Sequence, residues 1–227
     1  MANINLQEVI LQYMCLLFSL SAHEAAHAAM ANWCGDPSAR LLGRMTLNPV
    51  KHADPIGTVI LPLFAMITKF PFLFGWAKPV PFNPRNLGNM RRDPMLIALA
   101  GPAANLALAL SGVLLLRILA SLLGVFPESA VMGMLLQTFI YLVMINMVLM
   151  LFNLIPLPPL DGHHVLDALL PHNARQMMEK LGPFSLIILF LLVFRFRILD
   201  MPIALVSRGL FTLAFYGTPV YDIMMGG

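Results

Sequence analysis

The chain has 227 residues, 59% of them hydrophobic and only 11% charged, against about a quarter charged in an ordinary soluble domain. With a mean hydropathy of +0.81, it is neither a soluble globular protein nor a disordered one, and the bilayer is the main solvent its surface meets. The formal charge is +3, yet the basic residues are scattered between apolar segments and form no dense run, so no nucleic-acid partner is expected and membrane orientation accounts for the charge.

The start, MANINLQEV, lacks the basic stretch of a secretory signal, so no cleavage is expected there. From Leu6 to Asn32 the pattern is helical, with Cys34-Gly35-Asp36-Pro37 as the stop. A second apolar segment, Ile56 to Trp76, is interrupted by Pro62, Pro71 and Gly75 and reads poorly as one straight span. Met95 to Gly124 and Ala130 to Ile155 are each long enough to cross a hydrocarbon core of about 30 Å at 1.5 Å per residue. Gly182 to Leu199 and Pro202 to Gly217 are shorter and carry Arg195, Arg197 and Arg208, so they read as two tilted spans or an interfacial hairpin. Without an internal repeat or linker, residues 1–227 read as a single all-α polytopic membrane domain, with a core over about 6–170 and a C-terminal hydrophobic hairpin over about 182–217. Cys15 and Cys34 are too few for a disulfide framework and read as packing; the 17 Met and 15 Phe read as core and lipid-facing filler.

Late in the first helix stands His23-Glu24-Ala25-Ala26-His27. Two imidazoles at i and i+4 face the same way and can share one zinc ion, and Glu24 between them is placed as general base on its water. With six His and four Glu the pattern arises by chance on the order of a few times per thousand such chains. Three ionisable groups at the end of an apolar helix cost several kcal/mol to bury without a partner, and a metal removes that cost. A hydrolytic zinc site takes three protein ligands and leaves one position to water, so a third ligand must come from elsewhere. Asp161 is the first choice, because three prolines between Pro156 and Pro159 break the helix and free the backbone to turn a carboxylate inward. His163 and His164 are rivals, and Asp161 also reads as an N-cap for a short helix through Val165 to Leu170.

Three separated motifs, in order, resemble the site-2 proteases, the intramembrane zinc metalloproteases of the M50 class. They are the HEAAH helix, the Gly101-Pro102-Ala-Ala-Asn105 stretch opening a later helix, and Asn153-x-x-Pro156-x-x-x-x-Asp161-Gly162. The stretch Gly75-Trp76-Ala77-Lys78-Pro79-Val80-Pro81 looks like the compact bacterial branch of that family. The resemblance implies a site-2 protease-like helix bundle in which His23, His27 and Asp161 hold one Zn2+ and Glu24 is the catalytic acid and base. It also implies a membrane-spanning protein as substrate. Larger members carry a transmembrane helix before the HEAAH helix and a PDZ domain, neither of which is read in these residues. The rivals from other classes are a zinc-binding membrane sensor or transporter and a non-catalytic membrane scaffold.

The shared metal demands that His27 and Asp161 lie at one depth in the membrane. A full crossing by Ile56 to Trp76 would put them on opposite faces, so a re-entrant half-helix from Ile56 to about Thr68 with an extended return through Phe70 to Phe82 is expected. That topology places Arg40, Arg44, Lys51, Lys78, Arg85, Arg91, Arg92, Arg175 and Lys180 on the side of the site, which the positive-inside rule assigns to the cytoplasm. Together with the resemblance to the compact bacterial branch, this makes a bacterial cytoplasmic membrane the expected location. Lys69 and Arg117 are exceptions that must snorkel to the other face. The extended stretch Gly75 to Val80 is expected to add a strand to an unwound substrate. Asn153, close in sequence to Asp161, is the preferred donor to the oxyanion, with Asn105 as the alternative; an interhelical hydrogen bond competes with that role for both.

Overall fold

The computed structural model describes residues 5–68, 75–122, 129–218 and 221. Among these the regular structure is helical: α1 (Leu6–Trp33), α2 (Ser38–Leu41), α3 (Pro49–His52), α4 (Leu61–Thr68), α5 (Arg92–Leu122), α6 (Ala130–Asn153), α7 (Asp161–Leu169), α8 (His172–Leu181), α9 (Ser185–Phe190) and α10 (Asp200–Phe215). Three of them, α1, α5 and α6, are long and apolar enough to cross a membrane. Asn5 caps α1 by accepting the Gln7 N–H, and the helix ends where Gly35 takes a φ of 105°, a conformation that costs glycine little.

α5 lies at the centre and packs against α1, α6, α7 and α10. Val113, Leu116 and Ala120 of α5 bury against Val143 and Met147 of α6 and against Leu210, Ala214 and Phe215 of α10. Gly112 lets the two long helices approach, since a Cβ there would lie 2.7 Å from Val143 Cγ2. In lipid such packing holds by van der Waals contact and interhelical hydrogen bonds rather than by hydrophobic force. Pro102 lies inside α5, not at its opening. The helix begins ten residues earlier, where Asn89 Oδ1 accepts the Arg91 and Arg92 N–H groups and the buried Asp93 carboxylate accepts the Asn89 N–H and the Arg92 guanidinium.

Between α3 and α4 the chain winds as a π-helix over Pro55–Ile60, capped by Asp54, which accepts the Ile56 and Gly57 N–H groups. It then comes back on itself. The Trp76 N–H donates to the Gly57 carbonyl at 3.1 Å, and the Thr58 hydroxyl donates to the Trp76 carbonyl at 2.8 Å. Residues 57 and 76 are therefore neighbours, and the excursion between them returns to its own level. The helical limb, Pro55–Thr68, spans about 20 Å, too short for a crossing. Of the expected extended return, residues 75–82 hold no helix; Lys69 and residues 70–74 lie outside the described residues.

The C-terminal segments pack on the bundle. Leu189 of α9 and Val193 just after it bury with Ile155 and Leu160 of the segment that leads to α7, while α10 lies on α5 and α6. The exposed Arg117 guanidinium donates to the Leu213 and Tyr216 carbonyls at the end of α10.

Candidate metal centre and active site

His23, Glu24 and His27 are buried late in α1, and the two histidines reach partners on α5. Each histidine is held by its Nδ1. His27 Nδ1–H donates to the Ile97 carbonyl of α5 at 2.6 Å. His23 Nδ1–H donates to Asn105 Oδ1 at 2.6 Å. Asn105 is oriented in turn: its Nδ2 donates to Asn146 Oδ1 at 2.8 Å, and Asn146 Nδ2 donates to Ser19 Oγ and the Leu142 carbonyl. With both Nδ1 atoms protonated, both Nε2 atoms carry free lone pairs.

Those two Nε2 atoms lie 3.0 Å apart. Asp161, the first residue of α7, faces them with Oδ2 at 3.1 Å from His23 Nε2 and Oδ1 at 3.4 Å from His27 Nε2. Asp161 does not cap its own helix, and its Oδ2 is buried without a hydrogen bond. Three acceptors converging at this range repel one another unless they share a positive charge. Their separations sit close to the edge of about 3.3 Å expected for ligands about 2.0 Å from a tetrahedral zinc. The donor set, two neutral imidazoles and a carboxylate, therefore fits zinc. Gly101 makes room for it, since a Cβ there would lie 2.5 Å from both His23 Cε1 and His27 Nε2. Gly162 performs the same service for α7, where a side chain would collide with the Leu154 and Ile155 carbonyls.

Glu24 stands beside them, with a carboxylate oxygen within 4.8 Å of an imidazole nitrogen of each histidine, and borders a cavity of about 500 Å³ that His23, His27, Asp161 and the extended segment also line. Its Oε2 accepts the Val80 N–H at 3.1 Å. On the same edge of that segment the Lys78 N–H donates to the His52 carbonyl. Asn153 also lines the cavity, with Nδ2 donating one hydrogen to the Leu149 carbonyl of its own helix. Asn105 sits behind His23 rather than in the cavity, so of its two readings the interhelical hydrogen bond is the one observed. His163 and His164 stand outside the triad: His163 Nδ1–H donates to the Leu160 carbonyl, and His164 lines the cavity wall. Burial, and then the neighbouring His163, hold the His164 imidazole below its usual range.

Sequence reasoning missed four supports. Ser19 and Asn146 were legible in principle, because polar side chains inside apolar spans need partners. The hold of Val80 on Glu24 is a main-chain contact with no side-chain signature. The fourth is Asp36, fully buried just after α1, which accepts from the Asn83 N–H, the Asn86 amide and the Ser38 hydroxyl and so ties the extended return to the HEAAH helix.

The sequence model of peptidase family M50 matches residues 116–194. The chain is 40% identical over 179 residues to the Bacillus subtilis (strain 168) protein named "Putative zinc metalloprotease YwhC", an alignment covering 79% of this chain and 77% of that one. It is 31% identical to Rip2 of Mycolicibacterium smegmatis and to Rip2 of Mycobacterium tuberculosis (strain H37Rv), which carry the same zinc metalloprotease description. Those alignments cover 74% and 78% of this chain and only 59% and 63% of theirs. No solved structure gives a significant match. With the helical bundle and the His23–His27–Asp161 cluster beside Glu24 in view, these likenesses make the chain a member of peptidase family M50, a zinc metalloendopeptidase in an integral membrane bundle.

Proposed function

We propose that this protease cuts membrane-spanning proteins, with His23, His27 and Asp161 as the ligands of one Zn2+ and Glu24 as the catalytic acid and base. The observation that carries this reading is the meeting of two histidines of fixed tautomer with the Asp161 carboxylate, beside Glu24, in a cavity walled by the long apolar helices. Zinc, when bound, supplies an acidified water and a Lewis acid for the scissile carbonyl. Glu24 takes the proton of the attacking water and later delivers it to the leaving amine. The second Nδ2 hydrogen of Asn153 donates to the oxygen on which charge develops.

A substrate helix hides its carbonyls in its own hydrogen bonds and must unwind before it is cut. The extended segment is suited to receive it. The N–H groups of Trp76, Lys78 and Val80 are turned to the protein, so by strand alternation the edge formed by Gly75, Ala77 and Pro79 faces the other way. Pairing on that edge holds the peptide along the cavity that Ala77 and Pro79 line. Arg40, Arg44, Lys51, Lys78, Arg85, Arg91 and Arg92, with Arg175 and Lys180, support a catalytic side that faces the cytoplasm, by the positive-inside rule. The test is cleavage, in one detergent preparation, of a transmembrane segment bearing a helix-breaking pair, the same segment without it, and an unfolded soluble polypeptide. Preference for the first supports the reading. Equal or faster cleavage of the soluble chain sinks it.

A further inference from the structure

α7 carries a second group of ligand-type side chains that the mechanism leaves unused. His163, His164 and Asp167 each bring one donor atom within 4.8 Å of the other two. The two rings lie with centroids 3.8 Å apart. His163 Nδ1–H donates to the Leu160 carbonyl at 2.8 Å, which leaves its Nε2 with the free lone pair, the same preparation seen at His23 and His27. Asp167 follows His163 by four residues and His164 by three, so one helix face carries all three. The donor set repeats that of the catalytic centre: two imidazoles and one carboxylate. All three are half-buried, and His164 forms part of the cavity wall, its ring 6.3 Å from that of Phe82.

We propose that His163, His164 and Asp167 form a second divalent-cation site, of zinc type, at the rim of the catalytic cavity. An ion about 2.1 Å from each donor requires donors no more than about 4.2 Å apart, so the three side chains close by at most roughly half an ångström on loading. That rearrangement, and the partial exposure of the group, make this the weaker of two sites. Its place gives it a consequence, which rests on the protease reading: an ion there adds positive charge and bulk to the wall through which substrate reaches Asp161. Zinc beyond the first equivalent then inhibits.

The test is equilibrium dialysis of the full chain in detergent against Zn2+, after removal of any polyhistidine tag, with Co2+ absorption as a second readout. The wild type is expected to bind two ions in two classes of affinity. Asp167→Asn and His163→Asn lose the weaker class and keep the tighter, while His23→Asn loses the tighter and keeps the weaker; the retained class shows in each case that the protein is folded. In cleavage, the zinc concentration that inhibits by half rises at least about tenfold in Asp167→Asn. Two ions bound with no cleavage of any substrate supports the second site while overturning the protease reading. A single equivalent in the wild type, or a weaker class unchanged in both Asp167→Asn and His163→Asn, overturns the proposal.

Discussion

The backbone N–H of Val80 donates to the Glu24 carboxylate at 3.1 Å across 56 residues of sequence. The segment that lines the cavity is thereby also the one that aims the acid and base. Val80→Pro removes the only hydrogen in this contact while keeping an extended backbone between two prolines. A hydrogen bond to a charged group contributes about 1.5–3 kcal/mol, so kcat falls by about tenfold or more with zinc content unchanged. An unchanged kcat would show that Glu24 needs no such hold.

Behind His23 the chain from Asn105 to Asn146 and Ser19 fixes the imidazole that faces Asp161. Partners of this kind are worth about 10–100-fold in metal affinity. Asn105→Ala is therefore expected to weaken zinc binding by that factor, and Asn146→Ala to weaken it in the same direction by less, as read by competition with a chelator. Wild-type affinity in Asn105→Ala would remove the network from the account.

Two glycines of the long helices separate close approach from helix propensity. Alanine in place of glycine within a helix favours the helix by about 1 kcal/mol. Nothing lies within 4 Å of a Cβ at Gly133, so Gly133→Ala is expected to leave zinc binding intact and raise thermal stability slightly. At Gly101 the added methyl meets both metal-facing rings. Gly101→Ala is expected to lose zinc at least about 100-fold, and a zinc content equal to that of Gly133→Ala would contradict the geometry.

Asp36 gives stability a pH dependence. Burial opposes its charge, but the Ser38 hydroxyl, the Asn86 amide and the Asn83 N–H outweigh burial and hold the carboxyl below its ordinary value. A depressed carboxylate stabilises the folded chain fully above its unfolded pKa of about 4 and loses that contribution as the pH falls through its folded value. Asp36→Asn is thus less stable than the wild type at pH 7, and the difference shrinks below about pH 4. Denaturation curves at pH 7 and pH 3 in the same detergent check this; a difference that does not change with pH would assign the loss to packing alone.

The three long helices were legible because length and apolarity alone define a membrane span, and the HEAAH pair because helix geometry fixes the relation of i to i+4. The return of the chain after α4 followed from prolines and from the need to bring His27 and Asp161 to one level. The placement of Pro102 did not, because a proline that marks helix starts in water is tolerated inside a helix whose freed groups find other partners. Nor did the contacts of Arg117 with the end of α10, since a cation in an apolar stretch gives no sign of which carbonyls it will meet. The role of Asn105 was left between two readings because both oxyanion donor and interhelical partner use the same amide, and only its distance to His23 separates them.

The central claim is that Glu24 performs the proton transfers beside a metal held by His23, His27 and Asp161. It is tested most directly by zinc content and cleavage of a helix-destabilised transmembrane substrate, at one equivalent of zinc, for wild type, Glu24→Gln and Asp161→Ala. Glu24→Gln is expected to keep its tightly bound zinc and lose at least about 100-fold in cleavage, and Asp161→Ala to lose both. Cleavage by Glu24→Gln at the wild-type rate, or tight zinc retained by Asp161→Ala, would contradict it.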